Sequence, residues 1–386
     1  MTSITRSRVG SKAQVPVGGS VGASLRSRPC DLSLAHASRL LAWFDRERRD
    51  LPWRRARDPY RIWVSEVMLQ QTQVATVIPY YGRFVGAFPT VRALARAPLD
   101  EVLRCWAGLG YYSRARNLHR AARVVVAEHG GRLPETFAAL RALPGLGDYT
   151  AGAIASIAFD ERVPCVDGNA VRVLARVACL TGDVHAGRAR QRLMRLAHTA
   201  VPPERPGDYN QALMELGALI CRPLDPACNA CCLGDLCEAR RRGKQQSVPL
   251  PRRRPPTQTV RVAAGIVWRR GRLLLAQRPL EGRWGGLWEF PNAELPPEGT
   301  AAATLTRLLA EAFGLRAEVG EKVGALVHGI MHRRIELTAY ECRAVSGRTQ
   351  AGTHAAAKWV RPEELGEHAL PAPHRKLARR LQSRGD

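Results

Sequence analysis

The chain has 386 residues, 59 Lys and Arg against 34 Asp and Glu, a formal net charge of +25, and 45% apolar residues. That length suggests two or three domains, and the composition excludes a wholly disordered chain. No apolar run approaches the roughly 18–20 residues that span a bilayer, so a soluble protein with no membrane partner is expected. The cationic excess is almost all arginine, since only Lys12, Lys244, Lys322, Lys358 and Lys376 are lysines. It favours polyanions, nucleic acid first, because neutralised phosphates release counterions. A GC-rich genome gives the same Arg- and Ala-rich composition, so charge alone does not choose the partner.

Residues 1–30 carry five basic residues and no acid, which reads as a basic flexible arm. From about Ser33, Leu34, Leu40, Leu41 and Phe44 recur at helical spacing. Residues 63–85 read as one long apolar-periodic helix, and further helical patterns cover about 99–106, 113–129, 135–142, 149–159, 169–179, 187–199 and 209–220. Proline or glycine punctuates the joints at Phe88-Pro89, Gly108–Gly110 and Leu143–Gly147. An all-α domain over residues 31–238 is predicted. Residues 239–259 combine Arg240–Arg242 and Arg252–Arg254 with Pro249, Pro251, Pro255 and Pro256, which predicts an extended basic linker. Beyond it Val260, Val262, Ala264 and Ile266 alternate, and Arg270-Gly271 marks a hairpin turn before Leu273–Ala276. A helix near 300–312 and strand-like runs at 323–328, 334–343 and 356–360 complete a smaller α+β domain over 260–386.

Ten cysteines are too few for a disulfide scaffold, and five of them fall within residues 221–237. Such clustering points to a metal or iron–sulfur site in a reducing compartment, hence a cytoplasmic protein, nucleoid-associated if bacterial. Cys221, Cys228, Cys231 and Cys237 are spaced C-x6-C-x2-C-x5-C, and four thiolates in so short a loop can enclose a zinc ion or a [4Fe–4S] cube. Cys232 offers the alternative C-x6-C-x3-C-x4-C, and spacing alone leaves both questions open.

Between two helical segments, Gly145 and Gly147 bracket Leu146. Such a turn can present backbone N–H groups to a phosphate at the start of the next helix, although an ordinary helix–helix turn has the same spacing. Val166-Asp167-Gly168-Asn169 opens another helix, where an aspartate can be simply an N-cap. Glu66 lies on an apolar helix. The hairpin, the aspartate and the cysteine loop, in that order, resemble the endonuclease III superfamily of DNA glycosylases, built on a helix-hairpin-helix. Within it, Leu51-Pro52-Trp53-Arg54, the run Trp63–Gln73, Gly108–Tyr112 and Val166–Asn169 resemble the MutY family of adenine glycosylases. The resemblance is strong over about 34–240 and weaker beyond.

The resemblance implies a monomer that hydrolyses the N-glycosidic bond of adenine mispaired with 8-oxoguanine, or with guanine, in double-stranded DNA. Such chemistry needs a flipped base, a general acid to make it a leaving group, and an anion beside the cationic sugar. By the match, Glu66 is the acid and Asp167 the anion, with Tyr149 and Asn169 shaping the site. An apolar setting favours the raised pKa that Glu66 would need. Arg49, Trp53, Arg54 and Gln211 match residues around the adenine, and Gln71 and Tyr111 match those that wedge into the base stack. The resemblance also implies a [4Fe–4S] cluster on Cys221, Cys228, Cys231 and Cys237. Where bifunctional relatives carry a Schiff-base lysine the chain has Asp148-Tyr149-Thr150, and no lysine lies between Lys12 and Lys244, so a monofunctional enzyme is expected.

Gly285–Pro291 resembles the Nudix fold, but its glutamate box reads Arg307-Leu308-Leu309-Ala310-Glu311-Ala312-Phe313-Gly314-Leu315, with Gly299 at the upstream glutamate. One remaining carboxylate cannot hold a hard divalent cation. The expectation is a Nudix-like domain that has lost hydrolysis and reads the lesion. Its reading loop aligns on Ile330-Met331-His332, where His332 is retained and the family's Phe-Ser is replaced.

Overall fold

The computed structural model describes residues 34–251 and 255–383. The arm at 1–30 and Arg252–Arg254 of the linker lie outside them. Among the described residues the first part is helical: α1 Leu34–Glu47, α2 Pro59–Leu69, α3 Val74–Ala87, α4 Val91–Arg96, α5 Leu99–Trp106, α6 Ser113–Glu128, α7 Phe137–Ala142, α8 Asp148–Phe159, α9 Gly168–Val177, α10 Gly187–Ala200, α11 Pro206–Leu219 and α12 Glu238–Arg241. No described helix is long and apolar enough to cross a membrane. Asp58, Thr90, Thr136 and Asp167 cap α2, α4, α7 and α9 by accepting an N–H of the first turn. The core is built on Trp63, Phe84, Trp106 and Leu118, all essentially inaccessible.

The helix expected over 63–85 is two helices. Apolar periodicity runs across the break, but Gln71 takes φ 56°, which no helix continues, and Gln73 opens α3. The linker is also not extended from its start. Residues 238–241 form α12, Ala239 and Val248 are buried, and Arg176 donates to the Val248 carbonyl at 2.8 Å. Arginine runs repel one another but do not forbid a helical turn whose apolar member finds a core. The sheet domain begins at Gln258, before the residue 260 expected.

The second part is one sheet of seven strands, β1 Gln258–Arg269, β2 Arg272–Gln277, β3 Trp288–Glu289, β4 Asn292–Glu294, β5 Leu315–Ile330, β6 Arg333–Gly347 and β7 Ala356–Val360, with α13 Ala301–Phe313 and α14 Ala372–Gln382. The path runs β3-β2-β1-β6-β5, with β1 parallel to β6 and the other pairs antiparallel; β4 pairs with β1 and β7 with β2. Strand β1 is buried on both sides. Val260, Val262 and Ile266 meet Leu377 and Ala378 of α14, while Ala263 and Val267 meet Leu305, Leu309 and Phe313 of α13. The strand-like runs at 323–328 and 334–343 are the middles of one long hairpin, β5–β6, whose tip is Met331-His332.

The described residues belong to one compact unit. Leu287 and Ala369, from the sheet part, are buried in the helical core. Arg116 of α6 donates to the Gly285 carbonyl at 2.7 Å, Arg375 of α14 donates to the Ala107 carbonyl at 2.6 Å, and Gln277 donates to Asp100 of α5 at 2.9 Å.

Candidate active site and nucleic-acid interface

Glu66 faces inward from α2, a helix buried on nearly every side, and is 5% exposed. Tyr149, in the first turn of α8, donates its hydroxyl to Glu66 Oε2 at 2.5 Å and lies 3.5 Å from the Met214 sulfur. Burial raises the Glu66 carboxyl to about 7, against the Tyr149 hydrogen bond; the Asp167 charge adds to the rise and Arg54 opposes it. Burial and the neighbouring carboxylate also push the Tyr149 hydroxyl far upward, so it stays a donor.

Asp167 caps α9, and the cap and the site are the same group. Its Oδ1 accepts from the Ala170 N–H at 2.7 Å and its Oδ2 from Asn169 Nδ2 at 2.8 Å. Burial raises its pKa, and those two hydrogen bonds hold it back. Asn169 is oriented in turn by Arg172, which donates to Asn169 Oδ1 at 2.7 Å and to the carbonyls of Gly217 and Cys221 at 2.8 and 2.7 Å. Position 217 requires glycine, because a Cβ there would lie 2.6 Å from that of Asn169.

A cavity of ≈ 480 Å³ brings together Glu66, Tyr149, Asp167, Asn169, Arg49, Trp53, Arg54 and Gln211. Several of these are not free to meet a ligand. Arg49 donates to both oxygens of Glu215 at 2.8 and 2.7 Å, and Arg54 does so at 3.3 and 3.1 Å while its Nε donates to Gln211 Oε1 at 3.1 Å. Burial would raise Glu215, but the two guanidiniums outweigh it and hold the carboxylate at about 2. Arg49 and Arg54, read as DNA contacts, are therefore pinned into the wall by a buried acid that the sequence reading passed over. The signal was present: one turn after Gln211, Glu215 is the one charged residue in the apolar run Ala212–Leu219. Trp53 is mostly core, edge-on to Tyr81 with ring centres 5.3 Å apart.

Gln71 and Tyr111 lie outside that cavity, on two turns where both take left-handed backbone, φ 56° and 47°. Tyr111, 43% exposed, borders a second cavity of ≈ 640 Å³ between the helical part and the β5–β6 tip. His332 lines it together with Ile330, Met331, Trp284, His328 and Arg116. Met331 is 82% exposed. Trp284, His328 and Arg116 carried no sequence signal, because only the docking of the sheet part brings them to Tyr111. In the hairpin, Gly145 has φ 79° and a Cβ there would lie 2.4 Å from that of Asn117, so glycine is needed. Gly147 has ordinary φ −87° as N-cap of α8 and open space around it.

Cys221, Cys228, Cys231 and Cys237 all line one small cavity closed by Arg176 and Arg240, and Cys232 does not. Buried Arg176 ties the loop down, donating to the Arg222 and Pro223 carbonyls at 2.7 and 3.0 Å and lying 3.3 Å from the Cys221 sulfur. Among the described residues no three His, Cys, Asp or Glu side chains are gathered closely enough for a single metal ion. Four thiol side chains around one cavity are a donor set that suits either a tetrahedral zinc ion or a [4Fe–4S] cluster. In the sheet part, Leu308 and Ala312 pack against the α13 core where a Nudix box would supply carboxylates.

The model of the HhH-GPD superfamily of base excision DNA repair proteins matches residues 64–198, and that of the NUDIX domain matches 263–380. The adenine DNA glycosylase of Rattus norvegicus is 40% identical over 396 residues, covering 88% of this chain and 76% of that protein. That of Homo sapiens is also 40% identical, over 89% of this chain and 73% of its own length. With two carboxyls at one cavity, a helical hairpin and a four-cysteine loop in one fold, and these relatives along most of its length, the chain belongs to the adenine DNA glycosylase family.

Proposed function

We propose that the chain excises adenine paired with 8-oxoguanine, or with guanine, from duplex DNA. The observation that carries the mechanism is the buried Glu66, hydrogen-bonded to Tyr149, in one cavity with Asp167. A carboxyl raised to about 7 is still substantially protonated at neutral pH. It can deliver that proton to a ring nitrogen of an extruded adenine, making the base a neutral leaving group. The C–N bond then breaks toward an oxocarbenium-like sugar, which the Asp167 carboxylate, fixed by the Ala170 N–H and Asn169, stabilises. Glu66, now ionised, accepts a proton from the water that attacks the sugar, and the site is restored. With no lysine between Lys12 and Lys244, no side-chain amine is at hand for a Schiff base, and the enzyme is monofunctional.

Cys221, Cys228, Cys231 and Cys237 would hold a [4Fe–4S] cluster, which supplies a cross-link for a loop with little core of its own. The need for reduced thiols supports a cytoplasmic location. The second cavity, between Tyr111 and His332, is the reading site for the base opposite adenine, with Ile330-Met331 as its apolar edge.

The test is single-turnover excision on duplexes carrying adenine opposite 8-oxoguanine, guanine, cytosine or thymine. The expected order puts 8-oxoguanine first and guanine second, and Glu66→Gln slows the reaction by about a thousandfold, a typical worth for general acid catalysis. Equal cutting of all four duplexes, or an active Glu66→Gln variant, overturns the reading.

A further inference from the structure

The turns carrying Gln71 and Tyr111 are far apart in sequence, yet one side chain holds both. Arg114, in the first turn of α6, is only 8% exposed. Its Nη1 donates to the carbonyls of Val67, Met68 and Gln70 at 2.9, 2.7 and 2.6 Å, and its Nη2 donates to Thr72 Oγ1 at 3.2 Å. Those contacts close the C-terminus of α2 and bracket Gln71 on both sides. The same Nη2 donates to the Gly110 carbonyl at 3.2 Å, the guanidinium lies 5.4 Å from the Tyr111 ring centre, and the Arg114 N–H donates to the Tyr111 carbonyl at 2.9 Å. Tyr111 is therefore bracketed in the same way. Both residues hold left-handed backbone that non-glycine residues adopt at a cost and keep only where the surroundings impose it. Nearly all of this guanidinium's hydrogen bonding goes to the turns 67–72 and 110–111.

We propose that Arg114 is a positioning residue for base extrusion, holding Gln71 and Tyr111 at the separation needed to pry the adenine pair apart. This rests on the proposed wedge roles of those two residues. Arg114 does not line the cavity around Glu66, meeting its wall only through Thr72, and it touches no group in the bond-breaking step. Its loss should therefore slow excision only where a base must be pulled from a paired stack. Lysine preserves the charge but cannot fork between two turns.

The experiment measures single-turnover excision of adenine from two duplexes, one with adenine opposite 8-oxoguanine and one with adenine unpaired in a one-nucleotide bulge, where extrusion costs less. For Arg114→Lys the ratio of paired to bulged rate should fall about tenfold, the scale of one lost charged hydrogen bond. Thr72→Val keeps the guanidinium and removes one acceptor, so the ratio should move the same way by about threefold. Val125→Ala, a core deletion near the far end of the same helix, loosens the fold away from both turns and should leave the ratio within about twofold of wild type. A ratio unchanged in both Arg114→Lys and Thr72→Val, or lowered equally in Val125→Ala, overturns the proposal. Wild-type protein that excises adenine from neither duplex overturns the functional reading instead.

Discussion

Glu66 pays for its reactivity in stability, and the sign can be worked out. Its folded pKa is about 7 against 4.5 for a free glutamate. Below about pH 4.5 the carboxyl is protonated in both folded and unfolded chains, and its burial carries no ionic penalty. As pH rises toward 7 and beyond, the unfolded chain ionises first, and the folded state loses about 3 kcal/mol relative to a residue that cannot titrate. Glu66→Gln should therefore be the more stable protein at pH 8 and close to wild type at pH 4.5, as urea unfolding at the two pH values would show. In the same range, wild-type single-turnover excision should decline above about pH 7 as the proton donor is lost; a rate that climbs steadily to pH 9 would remove Glu66 from that role. Tyr149 shows the same logic from the other side. Its hydroxyl, kept protonated by burial beside a carboxylate, donates to Glu66 and limits how far that pKa rises.

At the scale of elements, α11 and the single 3-10 turn Pro52–Arg54 with its preceding residues are joined through Glu215. Replacing it with glutamine removes the charge that two partly buried guanidiniums share. The expected cost is about 3 kcal/mol, as for a buried pair stripped of one partner. Excision should fall as well, because Arg54 fixes Gln211 at the cavity wall. Chemical unfolding and single-turnover rates of Glu215→Gln check both. The same helices show what the sequence could and could not reveal. Hydrophobic periodicity located most of the helices because each buries one continuous stripe. It missed α4, held by Thr90 and only six residues long, and α14, whose arginine-rich run hides the stripe of Leu377 and Ala378. It ran through the break at Gln70–Gln73, since glutamines are neutral toward helix and the break is imposed by Arg114 from α6. Glu66, Asp167 and the cysteines were legible because their chemistry is tied to local runs of residues. Trp284, His328 and the part played by Arg114 arise from contacts between distant segments, which no local pattern records.

For the whole molecule, the +25 charge accompanies two cavities that hold candidate site residues among the described residues. One lies within the helical part and the other at its junction with the sheet. If both are used on a single duplex, phosphate contacts dominate affinity while the cavities supply selection. Raising salt should then weaken binding to matched and mispaired duplexes alike, leaving their ratio nearly constant, as fluorescence anisotropy at two salt concentrations would show.

The burial of Leu287 and Ala369 in the helical core has a consequence for how the protein comes apart. A residue that belongs to two modules at once cannot be released by one of them alone. Heating should therefore give a single calorimetric transition instead of the two steps expected of beads on a string. Leu287→Asp, which puts a charge in that shared core, should lower the melting of both parts together. Binding energy gained at the sheet tip is likewise felt by the catalytic helices, so a duplex bearing the lesion should raise the melting temperature of the entire chain. Recognition and endurance are in that sense one property of this molecule.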